Sequence, residues 1–376
     1  MHKSKSGLIY YCSYDLFKGA TDARLKTNGA EAFSELFNIF ANNVSILDRS
    51  HTFATPIHTA LLSTSILPEL NNSHSFETLC DRRAKELMDK AIASNKKIAV
   101  MYSGGIDSTL ILCAFLKNCN PEELKRVTVL MSEQSILENP NFYHSYVINN
   151  FDCVSAFRFP AFIGHPEYIF ISGEHGDQLF GSAIAQAFEV AHGFEALFKP
   201  LDQSHGILVD FLGDRGAKKY AEQILELFLK LCDSAPIQIE TPYHFFWWIN
   251  FATKWQAVYT RLLPYSKHKN TLALEENYTT FYCTKEFQQW SMANTDKFIK
   301  DSFATAKFIA KQYIYDFNKD SSYLYKIKIG SLCNLLNNKE IVYAIDENLN
   351  FITTSLGSEY LNPINEFAEM ELLNAS

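Results

Sequence analysis

A glycine-containing turn between two apolar runs is the feature that most constrains this chain. Residues 98–100 predict a buried strand, residues 103–108 form the turn, and residues 109–112 open a helix. The first N–H groups of a helix lack intrahelical partners and carry partial positive charge, and Gly104 and Gly105 let a ligand approach the backbone closely. The pattern therefore predicts a strand–turn–helix unit that binds an anion at the helix N-terminus.

The side chains of the turn indicate which anion this is. Ser103, Ser108 and Thr109 place short hydroxyl donors near the helix start, where phosphate oxygens would accept them. Asp107 would repel a phosphate chain unless a divalent cation lay between them, and Mg²⁺ prefers such oxygen ligands. The lysine of a G-x-x-x-x-G-K-[ST] loop is missing. We therefore expect a nucleotide bound together with Mg²⁺; the alternative is an ordinary strand-to-helix turn with an N-cap.

The turn resembles the pyrophosphate loop, S-G-G-x-D-S, of the ATP pyrophosphatase superfamily, whose members cleave ATP between the α- and β-phosphates. A second motif follows the apolar run at residues 168–171: residues 172–181 read S-G-E-H-G-D-Q-L-F-G. This segment is similar to S-G-E-G-x-D-E-L-F-G-G in the synthetase domain of asparagine synthetase. The resemblance implies that ATP binds residues Ser103, Gly104, Gly105, Asp107, Ser108 and Gly173.

The resemblance also implies roles for single residues. It makes Asp177 a second ligand of Mg²⁺ beside Asp107, and it places Glu174 where an incoming amine must lose a proton. Backbone groups at the end of the next strand would contact the adenine; they belong to Leu130, Met131 and Ser132. Two alternatives stay open: that Glu174 and Asp177 only complement a helix dipole, and that residues 127–132 form only a core strand.

Two lysines late in the chain complete the predicted catalytic set. Lys326 and Lys328 are two residues apart, so in an extended segment they share one face. Asparagine synthetases carry a basic pair of this spacing, which implies that Lys328 lies over the reaction centre with Lys326 as supporting cation. A fixed ammonium would stabilise charge on the pyrophosphate and on the tetrahedral intermediate. The alternative is a solvated face of an exposed strand.

Three residues of the second motif depart from the family pattern: His175, Gln178 and Ser182. A bulkier imidazole at position 175 predicts a changed acceptor pocket, which argues against aspartate as the substrate.

Strands and helices alternate at a spacing typical of right-handed βαβ units, so we expect an α/β fold built on a parallel sheet with flanking helices. The resemblance implies that this fold is of the HUP or PP-loop type. Residues 75–185 would form the ATP pyrophosphatase core and residues 186–376 a mainly helical C-terminal part. That part contains helices over residues 224–231 and 245–259 and ends in a hairpin at residues 341–353.

Residues 1–74 predict a short N-terminal segment rather than a glutaminase domain. Position 2 is His2, and Cys12 is not at the terminus, so neither supplies the terminal cysteine and free α-amine of such a nucleophile. The nitrogen donor is therefore expected to be free ammonia, an amine substrate or a separate amidotransferase partner.

Composition excludes several other classes. A net charge of −8 argues against general nucleic-acid binding, so Trp247, Trp248 and Trp255 are expected in the core rather than under bases. The sequence has no run of about 18 apolar residues that would predict a membrane span, and no signal peptide is visible. Both features favour a cytoplasmic protein. The eight cysteines form no C-x-x-C pair and so offer no simple zinc or iron–sulfur motif: Cys12, Cys80, Cys113, Cys119, Cys153, Cys232, Cys283 and Cys333.

Together these features predict an ATP-dependent, amide-forming ligase that adenylates a carboxylate, releasing pyrophosphate and then AMP. Its small-molecule substrates would be a carboxylate and an amine or ammonia, and the terminal hairpin is a candidate surface for homo-oligomerisation or for docking of a partner. Two alternatives remain: an enzyme of the same superfamily that modifies a nucleotide or an RNA base, and a non-catalytic ATP-binding protein of the same fold.

Overall fold

The computed structural model describes residues 47–52, 63–71, 74–181, 183–268 and 271–326, together with the strands Tyr343–Ile345 and Phe351–Thr353. The predictions for Cys12, Ser182, Lys328 and most of residues 1–74 lie outside these residues.

A five-stranded parallel sheet forms the centre of the described structure. Its strands are β1 (Lys97–Met101), β2 (Val127–Met131), β3 (Asp152–Ser155), β4 (Tyr168–Ser172) and β5 (Tyr278–Thr280). The spatial order is β3-β2-β1-β4-β5, and every pairing in it is parallel. In the central strands nearly all residues are buried, which is why they are continuous apolar runs rather than alternating ones. The predicted parallel sheet with flanking helices is confirmed.

Helices flank the sheet and make up most of the described part of residues 186–326. The α-helices of five or more residues in the described part are α1 (Phe76–Ala93), α2 (Ile106–Asn118), α3 (Glu133–Glu138), α4 (Gly176–Phe180), α5 (Ala183–His192), α6 (His205–Leu212), α7 (Ala221–Asp233), α8 (Pro242–Thr260), α9 (Thr271–Asn277), α10 (Lys285–Ala293) and α11 (Phe308–Asn318). Shorter α-helical segments are Pro121–Leu124, Pro140–Phe142, Ile148–Asn150 and Phe159–Phe162.

The apolar stripe of α1 packs against α2 and β1 immediately before the glycine turn. The helix begins at Ser75, whose hydroxyl accepts a hydrogen bond from the Thr78 N–H and so caps the first turn. Ile92, in the last turn, is 42% exposed, whereas the other apolar residues of the stripe are buried: Phe76, Leu79, Cys80, Leu87, Met88 and Ala91.

Helix α8 is the most deeply buried helix of the C-terminal part. Trp247, Trp248 and Trp255 are completely buried, so their predicted place in the core is confirmed. Buried indoles need partners for their N–H groups, and Trp248 donates to the Leu231 carbonyl oxygen while Trp255 donates to that of Thr64.

The sheet draws on both sides of the predicted boundary at residue 186. Strand β5 pairs with β4 in the register Phe170 opposite Tyr278, and these rings stack with centroids 5.9 Å apart. Sequence analysis did not predict β5 or β3, because three or four residues are too few to show a periodicity. One continuous apolar cluster joins β1 to β5 and α1 to α11, so residues 75–185 and the described part of 186–326 share a core.

Near the N-terminus, the described residues 47–52 attach to α8. The Leu47 N–H donates to the Thr253 carbonyl oxygen at 2.7 Å. The Arg49 guanidinium donates to the Phe251 carbonyl oxygen and lies 4.4 Å from the centre of the Trp255 ring. This part of the predicted N-terminal segment is therefore anchored to the core.

Near the C-terminus, β6 (Tyr343–Ile345) pairs antiparallel with β7 (Phe351–Thr353), which confirms the predicted hairpin. None of the helices in the described residues has both the length and the apolar composition needed to cross a membrane.

Replacing Phe170 by Ala tests the junction of β4 and β5. The side chain is completely buried, so its loss should leave a cavity and lower the free energy of unfolding by about 3–5 kcal/mol. Urea unfolding followed by tryptophan fluorescence measures this. Val190→Ala, at a residue 82% exposed, should change it by less than about 0.5 kcal/mol. Equal midpoints for the two variants would contradict this account of the core.

Candidate functional site

The strand order reverses direction between β1 and β4, the point at which sheets of this kind form a ligand-binding crevice. From β1 the chain proceeds outward through β2 and β3, whereas β4 and β5 extend the sheet in the opposite direction. The connections that follow β1 and β4 therefore diverge, and in such sheets ligands bind at the carboxyl ends of the strands at this point. The two sequence motifs follow these two strands.

The glycine turn after β1 needs a glycine at position 104. Gly104 has a left-handed φ of 74°, and a Cβ there would lie 2.3 Å from the Ser135 carbonyl oxygen of α3. Gly105 follows as the N-cap residue of α2 and supplies no side-chain cap. The helix thus begins in the manner predicted for an anion-binding end.

Hydroxyl groups hold the turn in shape from within. Ser108 Oγ accepts the Ser103 N–H at 3.0 Å and donates to the Gly105 carbonyl oxygen at 3.2 Å. Thr109 Oγ1 donates to the Gly104 carbonyl oxygen at 3.3 Å, and Thr109 is completely buried. The prediction that Thr109 reaches a phosphate is therefore wrong, because its hydroxyl closes the turn instead. Ser103 is the partly exposed hydroxyl of this group.

The second motif packs directly on the first. A Cβ at Gly173 would lie 3.2 Å from the Ser108 nitrogen, and one at Gly176 would lie 2.2 Å from Asp107 Oδ1. The second distance is shorter than any real contact, so the backbone at position 176 approaches the carboxylate as only glycine permits. The Tyr282 hydroxyl also holds Asp107 in place by donating to its carbonyl oxygen at 2.9 Å.

Asp107 and Asp177, the two predicted metal ligands, converge on the ammonium of Lys307. Lys307 Nζ lies 2.6 and 2.9 Å from the two carboxylate oxygens of Asp107 and 2.6 Å from Asp177 Oδ1. Burial alone would lower the pKa of Lys307, but the two carboxylates outweigh it and raise the pKa above its ordinary value. Sequence analysis missed Lys307, which precedes α11 and belongs to no recognisable motif.

The carboxylates of Asp107 and Asp177 are the kind of ligands that hold Mg²⁺ next to phosphate groups. Within the described part of the chain, no group of three or more His, Cys, Asp or Glu side chains is arranged to hold a metal. Mg²⁺ uses one or two carboxylates, completing its octahedral shell with water and phosphate oxygens. Asp107 and Asp177 both reach a single cation position and supply such a pair.

Glu174, the predicted catalytic carboxylate, is paired with an arginine. Its Oε1 lies 2.5 Å from Arg261 Nη2, and Glu174 is the less exposed partner. Burial lowers the pKa of Arg261, but Glu174 more than compensates and raises it above the ordinary value. Glu174 is therefore held in position by Arg261, three residues before Asp177 in the chain.

Lys326 is tied to the back of the glycine turn. Its ammonium donates to the Glu138 carbonyl oxygen and lies 3.3 Å from Glu138 Oε1. Glu138 is buried in α3, where its Cβ would be 2.8 Å from a Cβ at Gly104. Lys326 is thus linked to the glycine turn through Glu138, and its supporting role stays a prediction. Lys328 lies outside the described residues.

Two further lysines that sequence analysis missed lie near these groups. Lys311 donates to the Ala304 carbonyl oxygen, and burial together with the charges of Lys307 and Lys326 lowers its pKa to about 8. Burial also lowers the pKa of Lys254 to about 8, although Asp177 raises it. Neighbouring positive charges that lower the pKa of Lys311 would also attract an incoming anion.

The predicted adenine contacts lie at the end of β2, where some backbone groups already have partners. The Leu130 carbonyl oxygen accepts the Tyr102 N–H at 2.8 Å. The Ser132 N–H donates to Ser135 Oγ at 3.1 Å, as part of the capping box that begins α3. An adenine bound to the Ser132 N–H would have to displace its hydrogen bond to Ser135. The assignment of Leu130, Met131 and Ser132 to the adenine stays a prediction.

His175 does not line an acceptor pocket, and that hypothesis is wrong. The ring is 1% exposed, stacks on Trp255 at 4.1 Å, and contacts Thr280 Oγ1 at 2.7 Å and the Trp255 carbonyl oxygen at 2.9 Å. Burial lowers the pKa of His175 to about 3, so the imidazole is neutral. It connects the second motif to β5 and α8, and Gln178 is likewise buried, with its amide donating to Asn250 Oδ1.

No model of a known protein family matches this chain, and a search of curated proteins found no match.

Gly176→Ala tests the close approach of the two motifs. The new Cβ would collide with the Asp107 carboxylate, so the free energy of unfolding should fall by about 1–3 kcal/mol. Gly206→Ala is the matched control, since nothing lies within 4 Å of a Cβ there and the residue is helical. That control should be neutral or stabilising by up to about 1 kcal/mol in the same urea titration. Similar losses in both variants would show that the two motifs do not meet as described.

Proposed function

We propose that this chain is an ATP-dependent, AMP-forming amide ligase resembling asparagine synthetase, built on a sheet of the HUP or PP-loop type. The order β3-β2-β1-β4-β5 supports this proposal, because it brings the two motifs to adjacent strand ends. The resemblance concerns both motifs, and each contributes one carboxylate to the same cation position.

The convergence of Asp107 and Asp177 is the observation that carries the proposal. These residues are 70 positions apart and belong to separately recognised motifs, yet both carboxylates contact Lys307 Nζ at 2.6 Å. An arrangement that merely complements helix dipoles would not require them to share one cation. Two carboxylates beside an uncapped helix start are suited to a cation that bridges protein and phosphates.

ATP would lie with its phosphates against residues 103–108. Mg²⁺, when bound by Asp107 and Asp177, supplies positive charge that neutralises the phosphates. Ser103 and the first N–H groups of α2 would donate to phosphate oxygens, and Gly173 lets the chain pass close to them. Lys311 and Lys326 add positive potential behind the turn, which holds the departing pyrophosphate.

In the proposed first step, an oxygen of the substrate carboxylate attacks the α-phosphorus of ATP. The bond from the α-phosphorus to the oxygen that bridges to the β-phosphate breaks, and that oxygen leaves with its electron pair as part of pyrophosphate. In the second step an amine attacks the carbonyl carbon of the acyl-adenylate, loses a proton and expels AMP. Glu174 is assigned to the amine and its proton, and Lys328, with Lys326 in support, to the developing negative charge.

The nitrogen would come from ammonia, an amine substrate or a separate amidotransferase. Since His175 is in the core, the acceptor pocket owes its shape to other residues. Glu174 and Arg261 present one negative and one positive group side by side, an arrangement that can orient a polar acceptor.

Incubation with ATP, Mg²⁺ and a panel of carboxylates and amines should release pyrophosphate and AMP in equal amounts. Asp107→Asn should lower the rate by about a hundredfold or more, since it removes a charged group that acts on the phosphates. Asp316→Asn, at an exposed residue of α11, is the control and should leave the rate unchanged. Coupled enzyme assays for pyrophosphate and for AMP measure both products.

Release of ADP and phosphate would contradict the proposal. Tight ATP binding without turnover and unaffected by Asp107→Asn would indicate the non-catalytic alternative. Turnover only with a nucleoside or RNA substrate would indicate the base-modifying alternative.

A further inference from the structure

The ammonium of Lys307 lies where the proposed function requires a divalent cation. It contacts Asp107 and Asp177 simultaneously, and its side chain is 13% exposed, so solvent screens the contact poorly. A divalent cation bound by the same carboxylates would repel the ammonium strongly at this range. The two cations therefore compete for one position.

The backbone at Lys307 has a left-handed conformation that residues with a Cβ rarely adopt. Its φ is 61°, in the left-handed region that disfavours residues with a Cβ, and its N–H donates to the Phe298 carbonyl oxygen at 2.8 Å. Such strain persists only where the surrounding structure enforces it. Glycine would fit this backbone without strain, but it would lack the ammonium. The contact of the ammonium with Asp107 and Asp177 is therefore the reason for a lysine at position 307.

Lys319 provides an internal comparison. It has nearly the same φ, 57°, and lies just beyond the other end of α11, but its side chain is 68% exposed and its carboxylate partner Asp316 is 3.8 Å away. The left-handed backbone alone therefore does not produce a buried ion pair. The placement of Lys307 between two carboxylates is specific to this end of the helix.

We propose that Lys307 is an exchangeable counter-ion that makes divalent-cation binding depend on nucleotide. Without nucleotide, its ammonium is the shared counter-ion of Asp107 and Asp177. When the triphosphate arrives, its oxygens offer the ammonium a new anionic partner, and the carboxylates become available to the divalent cation. Lys307 then contacts the phosphates from the side of α11. This inference rests on the proposed function, because it takes Asp107 and Asp177 as metal ligands.

The experiment titrates the full chain with MnCl₂ without nucleotide and follows protein-bound Mn²⁺ by water-proton relaxation. The wild type should bind Mn²⁺ weakly, and Lys307→Met should bind it about tenfold more tightly or better, because the competing charge is gone. Lys307→Arg keeps the charge and should resemble the wild type, as should Lys319→Met. Adding Asp107→Asn to Lys307→Met should abolish the gain, which assigns the new affinity to the carboxylate pair.

A second arm uses the wild-type protein and does not depend on the folding of any variant. The non-hydrolysable analogue α,β-methylene-ATP should tighten Mn²⁺ binding by about tenfold or more. In Lys307→Met this coupling should shrink, since Mn²⁺ already binds without the analogue. Urea midpoints close to that of the wild type establish that the variants are folded.

The outcomes separate the two proposals. If the wild type binds Mn²⁺ equally well with and without the analogue, or if Lys307→Met gains no affinity, the inference about Lys307 is overturned. If Mn²⁺ and the analogue bind together and pyrophosphate is released while Lys307→Met shows no gain, only this inference fails. If no protein binds Mn²⁺ under any condition, the proposed function fails with it.

Discussion

The parallel pairing of β1 with β4 is the constraint on which the rest of the structure depends. Val100 lies opposite Ile171 in this register, and both strands end at nearly the same level. The turn after each strand therefore reaches the same edge of the sheet, and the Gly176 backbone comes against the Asp107 carboxylate. A shift of this register by two residues would separate the motifs by about 7 Å, since each residue of a strand rises about 3.3 Å.

The core behind this edge keeps the two motifs in contact. His175 has a left-handed φ of 74° and is buried against Trp255 and Thr280, so one residue joins the second motif to α8 and to β5. Because the imidazole is neutral, it adds no charge to the site. The aromatic core around α8 thus supports the position of Asp177 while leaving the electrostatics of the crevice to residues at its surface.

Charge balance organises the crevice itself. Asp107 and Asp177 share Lys307, Glu174 pairs with Arg261, and Glu138 pairs with Lys326. Each of these carboxylates has a cationic partner within the protein, and Asp107 and Asp177 share a single ammonium. A phosphate and a cation bound as proposed would exchange partners with these existing ion pairs.

The local pattern of the sequence determined the elements and both motifs. Buried strands appear as apolar runs, Gly104 and Gly105 mark the turn between strand and helix, and the net charge of −8 already favoured a place in the core for the tryptophans of α8. These features depend on neighbouring residues and on solvent, so the sequence displays them directly. The short strands β3 and β5 could not be predicted from the sequence, because pairing with neighbouring strands, rather than local pattern, determines their conformation.

Only the tertiary structure decided which charges meet. Lys307 is 200 residues from Asp107, and nothing near it in sequence distinguishes it from other lysines. Glu174 and Arg261 are 87 residues apart. His175 was interpreted as a pocket residue because its burial depends on α8 and β5, which follow it in the chain. Ion pairs and burial at long range are properties of packing, whereas strand, turn and helix signals are properties of the local chain.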